Sequence, residues 1–385
     1  MAHRDLFQNS VSRRAALVMG GALGAVAAAP FEAFAQGATS VNLAMVGEPQ
    51  SLDPMASTAD LVGIIMQHVY EPLYTFDANW AVQPMLAATM PTVSADGKTY
   101  TIELRKGVKL HNGRELDSED VVASLKRWSA KDALGQKLWS FVKDIKAVDA
   151  KTFTIGLNSP TGLMLQALGK PSSAVPFIMP KRIADTNPNE QIKEYVGSGP
   201  FVFKADEWKP GDKAVYTKFA KYKPRAEPVS GLSGGKVVKV DRVEWNWIPD
   251  MQTGANAITA GEIDMFEIPQ HDLLPSMAKS PDLKFVDANP LGNQFVFRFN
   301  VLHKPFDNPK VRQALFYAFN QEDFLKAAIG DEKYYKTCKA LFICGSPFAT
   351  DKGMEDKLES NIAKAKELLK EAGYDGTPVT LMQST

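Results

Sequence analysis

Residues 293–320, NQFVFRFNVLHKPFDNPKVRQALFYAFN, predict a strand, a turn and a helix. Phenylalanines at the alternate positions 295, 297 and 299 are typical of a strand with one buried aromatic face. Asn308 is placed to cap a helix, and Pro309 suits the first helical turn because its missing N–H has no partner to lose there. The predicted helix then carries an apolar stripe at helical spacing, made of Val311, Ala314, Leu315, Ala318 and Phe319. We expect the chain to cross here from one lobe into another.

The composition is that of a globular protein long enough for two or three hydrophobic cores. Its 385 residues include 44 basic and 44 acidic side chains, which gives a formal net charge of zero. Because there is neither a positive excess nor a basic stripe, nucleic acid is not expected as a partner. The five histidines and two cysteines are too scattered for a local metal site, and we predict no metal and no other cofactor.

Residues 1–35 have the pattern of an export signal. The pair Arg13 and Arg14 precedes an apolar run over 15–29, and Ala33-Phe34-Ala35 supplies a cleavage site. The run is shorter than the roughly 20 residues that a membrane-spanning helix needs, so we prefer a signal cleaved after Ala35 to a membrane anchor. The arginine pair resembles a twin-arginine signal, although Ala16 replaces its usual bulky apolar residue. The general secretory route therefore stays open.

Several further motifs, taken together, resemble the extracytoplasmic solute-binding proteins of family 5, the peptide and nickel class of ABC importers. The opening stretch supplies "PFDN, two residues, VRQAL, then YAFN", which is similar to a signature of that family. The other matching stretches are Leu52-Asp53-Pro54 after a first strand (41–46), YEPLY at 70–74 after a helix (59–69), a strand–turn–helix at 100–128, GSGPF at 197–201 with WKPG at 208–211, GEID at 261–264, and AKELLKEAGY at 365–374.

The resemblance implies an α/β fold of the periplasmic-binding-protein type (cluster C), with two main lobes joined by a hinge and an extra small domain. We place lobe I at 36–70 and 195–292, the small domain II at 71–194, and the beginning of lobe III at 293–385. Family members continue for well over a hundred residues, so we expect the second main lobe to be incomplete. Whether the chain is naturally short or a fragment is left open.

The function implied by the resemblance is binding without chemistry. A periplasmic monomer captures a small solute between two lobes that close like a venus flytrap, and delivers it to ABC transporter permease subunits in the inner membrane. A peptide is the expected solute, while opines, sugars and nickel chelates stay open. The implied ligand contacts are Thr58, Asp60 and Glu267 on lobe I, Trp139 after the small-domain helix, and Gln294, Val296 and Arg298 on the crossover strand.

Two of these contacts have an equally good structural interpretation. Asp60 also suits the beginning of a helix, where a negative charge is favoured by the helix dipole. Arg298, on the polar face of the predicted strand, either pairs a ligand carboxylate or forms an internal ion pair. Several other conspicuous residues are predicted to be structural: His111 in a turn, Asp264 at a strand end, Trp245 and Trp247 on one face of a strand, and Gly197 and Gly199 at a tight crossing.

Two sequence features suggest chemistry outside this resemblance. Residues 231–235, GLSGG, match the G-x-S-x-G nucleophile elbow around Ser233, but the motif needs a helix after it and a strand is predicted at 236–248. An exported serine hydrolase and an envelope chaperone-like protein are therefore retained only as alternatives. Cys338 and Cys344 form an even pair in an exported protein, which favours a disulfide over two free thiols.

Overall fold

A computed structural model describes residues 39–45, 47–49, 51–289, 291–346 and 348–381. The predicted export signal, with Arg13, Arg14 and the cleavage site at Ala35, lies outside the described residues. The described helices include none that is long and apolar enough to cross a membrane.

Strands and helices are interspersed along the chain, in agreement with the predicted α/β class. The strands are β1 (Ser40–Met45), β2 (Tyr74–Phe76), β3 (Val82–Pro84), β4 (Thr92–Val93), β5 (Thr99–Glu103), β6 (Val142–Ala147), β7 (Thr152–Leu157), β8 (Phe201–Phe203), β9 (Lys213–Lys218), β10 (Arg242–Trp247) and β11 (Met265–Phe266). The α-helices are α1 (Asp60–Met66), α2 (Ser118–Lys131), α3 (Ala133–Trp139), α4 (Leu163–Leu168), α5 (Lys181–Ala184), α6 (Met251–Ala260), α7 (Leu274–Met277), α8 (Pro309–Ala318), α9 (Gln321–Ile329) and α10 (Ile362–Glu371).

A five-stranded sheet of order β11-β1-β10-β9-β8 gathers strands from distant parts of the sequence. Strand β1 runs parallel to both β10 and β11, while β9 pairs antiparallel with β10 and β8. Val243 and Trp245 are buried on one face of β10, as their alternation predicts, whereas Trp247 is only half-buried. The three parallel strands leave their carboxyl ends together at one edge of the sheet.

A four-stranded antiparallel sheet of order β4-β5-β7-β6 lies in the segment predicted as the small domain. Helix α2 packs on it and buries Trp128 completely, because apolar positions recur at helical spacing from Val121 onwards. The helix is capped by Asp117, and Asp120 completes a capping box. The domain boundaries at 70, 194 and 292 stay a prediction.

The chain enters β8 through a crossing that only glycine can form. A Cβ atom on Gly197 would lie 2.0 Å from the carbonyl oxygen of Val69, and one on Gly199 would lie 2.5 Å from that of His68. The His111 ring fixes the same segment: Nε2 donates to the Gly199 oxygen at 3.0 Å, and Nδ1 accepts from the Gly197 N–H at 3.4 Å. His111 is therefore a structural residue of this crossing, as its turn position predicts.

In residues 293–320, the structure contains the predicted helix but not the predicted strand. Helix α8 begins at Pro309, and the Asn308 side chain accepts from the Lys310 N–H. The predicted strand before it is wrong: residues 293–300 form no strand, and Phe295 is 74% exposed. Phe297 instead stacks on Phe319, with ring centroids 4.8 Å apart. A strand needs a neighbour for its backbone hydrogen bonds, and no described segment pairs with this one.

Two further element boundaries differ from the prediction. The predicted strand from 236 to 248 begins only at Arg242, where pairing with β1 and β9 begins. The helix predicted over 59–69 is α1, which ends at Met66.

Candidate functional site

The edge of the five-stranded sheet at the carboxyl ends of β1, β10 and β11 is the candidate site. In α/β sheets, ligands bind in the crevice outside the carboxyl ends of parallel strands, because the loops that follow can diverge there. The loops leaving this edge contain Glu48 after β1, Asp250 after β10 and Glu267 after β11. Asp250 is already used as the N-cap of α6, where it accepts from Thr253.

The loop after β1 is fixed by a buried ion pair. Asp53 accepts from Arg127 on α2 at 2.8 Å and from the Ile192 N–H at 3.0 Å, and the side chains of the pair are 0% and 1% exposed. The Arg127 guanidinium also donates to the carbonyl oxygens of Thr186, Asn187 and Glu190. The pair thus ties the loop of the larger sheet to the helix of the smaller one.

Thr58 and Asp60 follow this anchored segment and are both exposed. The Thr58 carbonyl accepts from the Ser173 hydroxyl at 3.2 Å. Asp60 is the first residue of α1, whose N-cap Ala59 provides no side-chain hydrogen bond. The position therefore fits a helix-dipole role as well as a ligand contact, and the two interpretations of Asp60 both stand.

Glu267 lies directly after β11 and carries the most unusual electrostatics of the predicted contacts. One carboxylate oxygen, Oε2, is buried without a hydrogen-bond partner among the described residues, and burial raises the pKa of the Glu267 carboxyl. The next residue, Ile268, has a left-handed backbone with φ of 50°, which costs energy for a β-branched side chain. A carboxylate held without a partner beside a strained residue is suited to a cationic ligand group.

A shallow depression at the same edge is lined by residues that the sequence analysis did not select. The half-buried Trp208 and Trp247 line it, together with Lys209, Lys213 and the buried Met45. The exposed Glu48 also lines it, and a Cβ atom on Gly211 would lie 3.8 Å from Glu48 Oε1. Trp247 was predicted to be core; its place at the last position of β10 is the signal that could have identified it.

Trp139 is at the end of α3, away from the predicted lobe I contacts. Its ring makes an edge contact with the buried Trp128, with centroids 6.5 Å apart. The Trp128 indole donates to the Ala174 carbonyl at 2.7 Å, and Ala174 directly follows the Ser173 that contacts Thr58. Trp139 therefore contacts Trp128, which holds the segment that contacts Thr58.

The three predicted contacts on the crossover segment are separate from the others. Gln294 donates to the Ala340 carbonyl at 2.8 Å, and Val296 is 71% exposed. Arg298 is exposed and has no ion pair with any described carboxylate. In the part of the chain that the structure describes, no hydrogen bond or ring contact joins these three residues to Thr58, Asp60, Trp139 or Glu267.

The remaining candidates are the two cysteines and Ser233, and their local contacts explain each of them. Cys338 and Cys344 are joined, with sulfur atoms 2.06 Å and Cα atoms 5.8 Å apart. Ser233 is buried in a turn and donates its hydroxyl to the Ser230 carbonyl at 2.8 Å, and no helix follows it as a nucleophile elbow requires. Among the described residues, no group of three or more His, Cys, Asp or Glu could hold a metal ion.

Comparisons with known proteins agree with this architecture. The sequence profile of the bacterial extracellular solute-binding proteins, family 5 (middle region), matches residues 81–385. The chain is 37% identical over 382 residues to y4tO of Sinorhizobium fredii, a probable peptide ABC transporter periplasmic-binding protein. The matched region covers 98% of this chain and 71% of y4tO.

Solved structures show the same fold. AppA, the oligopeptide-binding protein of Bacillus subtilis in complex with a nonapeptide, superposes with a TM-score of 0.68 at 26% identity over 88% of this chain and 64% of its own. AgaA of A. tumefaciens R10, in complex with agropinic acid, gives a TM-score of 0.68 at 26% identity over 87% of this chain and 64% of its own. The chain therefore spans 64–71% of the length of these proteins.

Proposed function

Because the chain belongs to the bacterial extracellular solute-binding proteins of family 5, we propose that it captures a small solute and presents it to an ABC importer. The observation that carries this proposal is the similarity to y4tO, which runs over 98% of the chain. The edge formed by β1, β10 and β11 supports it, because binding needs a concave surface with a few placed polar groups and no reacting centre.

A peptide is the proposed solute. The relative y4tO is named for peptide transport, and AppA was crystallised with a nonapeptide. AgaA, at the same TM-score, holds agropinic acid, so an opine is the second solute class to test. The proposed amine partner is Glu267, whose unpartnered oxygen would gain a charge-assisted hydrogen bond.

The proposed contact residues combine the sequence prediction with the depression at the sheet edge. They are Thr58, Asp60, Trp139, Glu267, Gln294, Val296 and Arg298, to which we add Glu48, Trp208 and Trp247. The tryptophans would supply flat apolar surface for a ligand, and Arg298, which has no described ion-pair partner, would take a ligand carboxylate.

The proposed mechanism is hinge closure between lobe I (36–70 and 195–292) and lobe III (beginning at 293), with the small domain (71–194) attached to lobe I. A ligand shifts the equilibrium toward the closed form only if it gains contacts that exist in that form alone. Contacts from Gln294, Val296 and Arg298 would meet that condition, since no described hydrogen bond or ring contact joins these residues to the lobe I contacts.

We further propose that the protein is a periplasmic monomer without catalytic activity, exported by the signal at residues 1–35. Its partners would be permease subunits of the inner membrane, since the relatives are periplasmic-binding proteins of ABC transporters. The disulfide between Cys338 and Cys344 fits an oxidising compartment. No observation favours the hydrolase or the chaperone-like alternative.

Thermal unfolding against a panel of short peptides, opines, sugars and nickel chelates tests the proposed function. A ligand that binds only the folded state stabilises it by about 2.7 kcal/mol at one hundred times its dissociation constant. We expect a saturable rise of the unfolding midpoint with a peptide. A cooperative transition that no compound shifts would contradict the proposal, and ester turnover abolished in Ser233→Ala would favour the hydrolase instead.

A further inference from the structure

A second, smaller cavity lies between the end of α1, the β2–β3 hairpin, residues 170–177 and the glycine-rich loop 231–235. Its polar lining includes Gln67, Thr75, Lys170 and Lys236, and Phe177 contributes an apolar wall. The open space admits about one group of the size of a water molecule. None of the predicted or proposed solute contacts lines it.

The glycine-rich loop holds Lys236 at this cavity. The backbones of Ser230 and Ser233 exchange hydrogen bonds of 3.0 and 2.9 Å, and the Gly235 N–H donates to the Glu227 carbonyl at 2.8 Å. A Cβ atom on Gly234 would lie 2.1 Å from the Pro228 carbonyl oxygen, so the turn tolerates no other residue there. The motif that resembles a nucleophile elbow is therefore a rigid turn that places a lysine.

Three polar side chains around the cavity have no protein partner. Within the described residues, the ammonium of Lys236, the amide of Gln67 and the hydroxyl of Thr75 make no side-chain hydrogen bond and no ion pair. Thr75 is buried and Gln67 and Lys236 are half-buried, and burial lowers the pKa of the Lys236 ammonium, so the surrounding protein compensates its charge incompletely. All three side chains can donate a hydrogen bond.

The nearby charges leave one cation without a matching anion. Lys170 is paired with Asp132. The carboxylate of Glu71 attracts both Lys236 and Arg105, but its oxygens already accept from the Ser198 hydroxyl at 3.0 Å and the Tyr222 hydroxyl at 2.8 Å. Glu227 also attracts Arg105 but is paired with Arg225, so the cations Lys236, Arg105 and Arg225 outnumber the carboxylates Glu71 and Glu227. The donors around the cavity therefore point to an anionic occupant.

We propose that this cavity binds a small monovalent inorganic anion of the size of chloride, held by Lys236, Gln67 and Thr75. The ammonium supplies the charge, the hydroxyl and amide supply directed donors, and the small space excludes sulfate and organic carboxylates. The anion would bridge α1, the hairpin and the glycine-rich loop, and so would stabilise this region whether or not a solute is bound.

Thermal unfolding of the full chain tests the proposal without any solute. Sodium chloride replaces sodium gluconate stepwise at constant ionic strength and pH, and we expect a saturable rise of the midpoint. The rise should disappear in Lys236→Met and persist in Lys279→Met, the matched change at an exposed lysine. An equal rise in wild type and Lys236→Met, or no rise at all, would overturn the proposal.

A second variant and a direct observation guard against misfolding of Lys236→Met. Thr75→Val keeps the volume and the lysine, and should weaken chloride binding about tenfold by removing one donor. Crystals grown in sodium bromide should show an anomalous peak within hydrogen-bond distance of Lys236 Nζ. A water molecule at that place, with no anomalous signal, would refute the anion.

Discussion

At the scale of single residues, Glu267 is the proposed ligand contact whose electrostatics differ most from those of a stabilising residue. Its buried oxygen has no described partner, and burial raises the pKa of its carboxyl, so the ionised form is held at a cost. An acid whose folded pKa is raised destabilises the fold increasingly as the pH rises from the unfolded pKa through the folded one. A cationic ligand group at Glu267 would offset this cost.

Replacing Glu267 by glutamine should therefore separate stability from binding. We expect Glu267→Gln to be slightly more stable at pH 7, by less than about 1 kcal/mol because the side chain is partly solvated, and to bind an amine-bearing peptide more weakly. Urea unfolding and peptide titration measure the two effects. Glu262→Gln, at an exposed position of the same segment, should change neither. A Glu267→Gln protein that binds the peptide as tightly as wild type would remove Glu267 from the site.

Two half-buried histidines, His68 and His111, should make the stability depend on pH. Burial lowers the pKa of His68 and of His111 from 6.5 to about 4. His68 Nε2 accepts from the Trp245 indole at 2.9 Å, which requires the neutral ring. As the pH falls from about 6.5 to about 4, the unfolded chain takes up these protons first, so stability falls and then levels off.

Between pH 6.5 and 4, each histidine should lower the free energy of unfolding by about 3 kcal/mol, since one pKa unit corresponds to about 1.4 kcal/mol. Urea unfolding at pH 7, 6, 5 and 4 should show a shallower pH dependence in His111→Asn than in wild type. The carboxylates contribute equally to the pH dependence of both proteins, so the difference between the two curves isolates the contribution of His111. Parallel curves would show that His111 does not titrate as its burial indicates.

At the scale of elements, the buried pair of Asp53 and Arg127 joins the loop after β1 to helix α2. Removing one partner leaves a buried charge uncompensated. We expect Arg127→Met to lower the free energy of unfolding by about 3–5 kcal/mol, and Asp53→Leu with Arg127→Met to recover part of that loss. A double-mutant cycle from urea unfolding measures the coupling. Additive effects of the two substitutions would show that the pair does not act as a unit.

The segment 293–300 gives a sharper test of the described geometry, because two phenylalanines two residues apart have different surroundings. Phe297 stacks on Phe319, whereas Phe295 is 74% exposed. Phe297→Ala should cost about 1 kcal/mol or more of unfolding free energy, and Phe295→Ala less than about 0.5. Equal, large costs would indicate instead that both rings are packed on the buried face of a paired strand.

The elements show what the sequence could predict. Caps, turns and helical stripes are local, so α8 with its Asn308 cap and the tight crossing at Gly197 and Gly199 followed from the residues. The strand at 293–300 failed because a strand depends on a partner that its own alternation cannot supply. The residues of the candidate site could be anticipated only in part, because the side chains at the sheet edge meet through β1, β10 and β11, which are far apart in sequence.

At the scale of the whole molecule, packing is unequal along the chain. The main buried core is built from residues between Leu43 and Trp245. Beyond residue 293 the buried hydrophobic side chains of the described part are Val311, Ala314, Ala340, Ala365 and Leu368. The part of the chain that should carry Gln294, Val296 and Arg298 to a ligand is thus the less firmly packed part, and we expect ligand binding to protect its amides from hydrogen exchange.

Tryptophan fluorescence during a peptide titration tests the central claim most directly, because Trp208 and Trp247 line the depression at the sheet edge. We predict a saturable change in emission with at least one peptide, reduced in Trp208→Phe and weakened in affinity by Glu267→Gln. A cooperatively folded protein whose emission no peptide or opine changes would contradict the claim that this edge binds a solute.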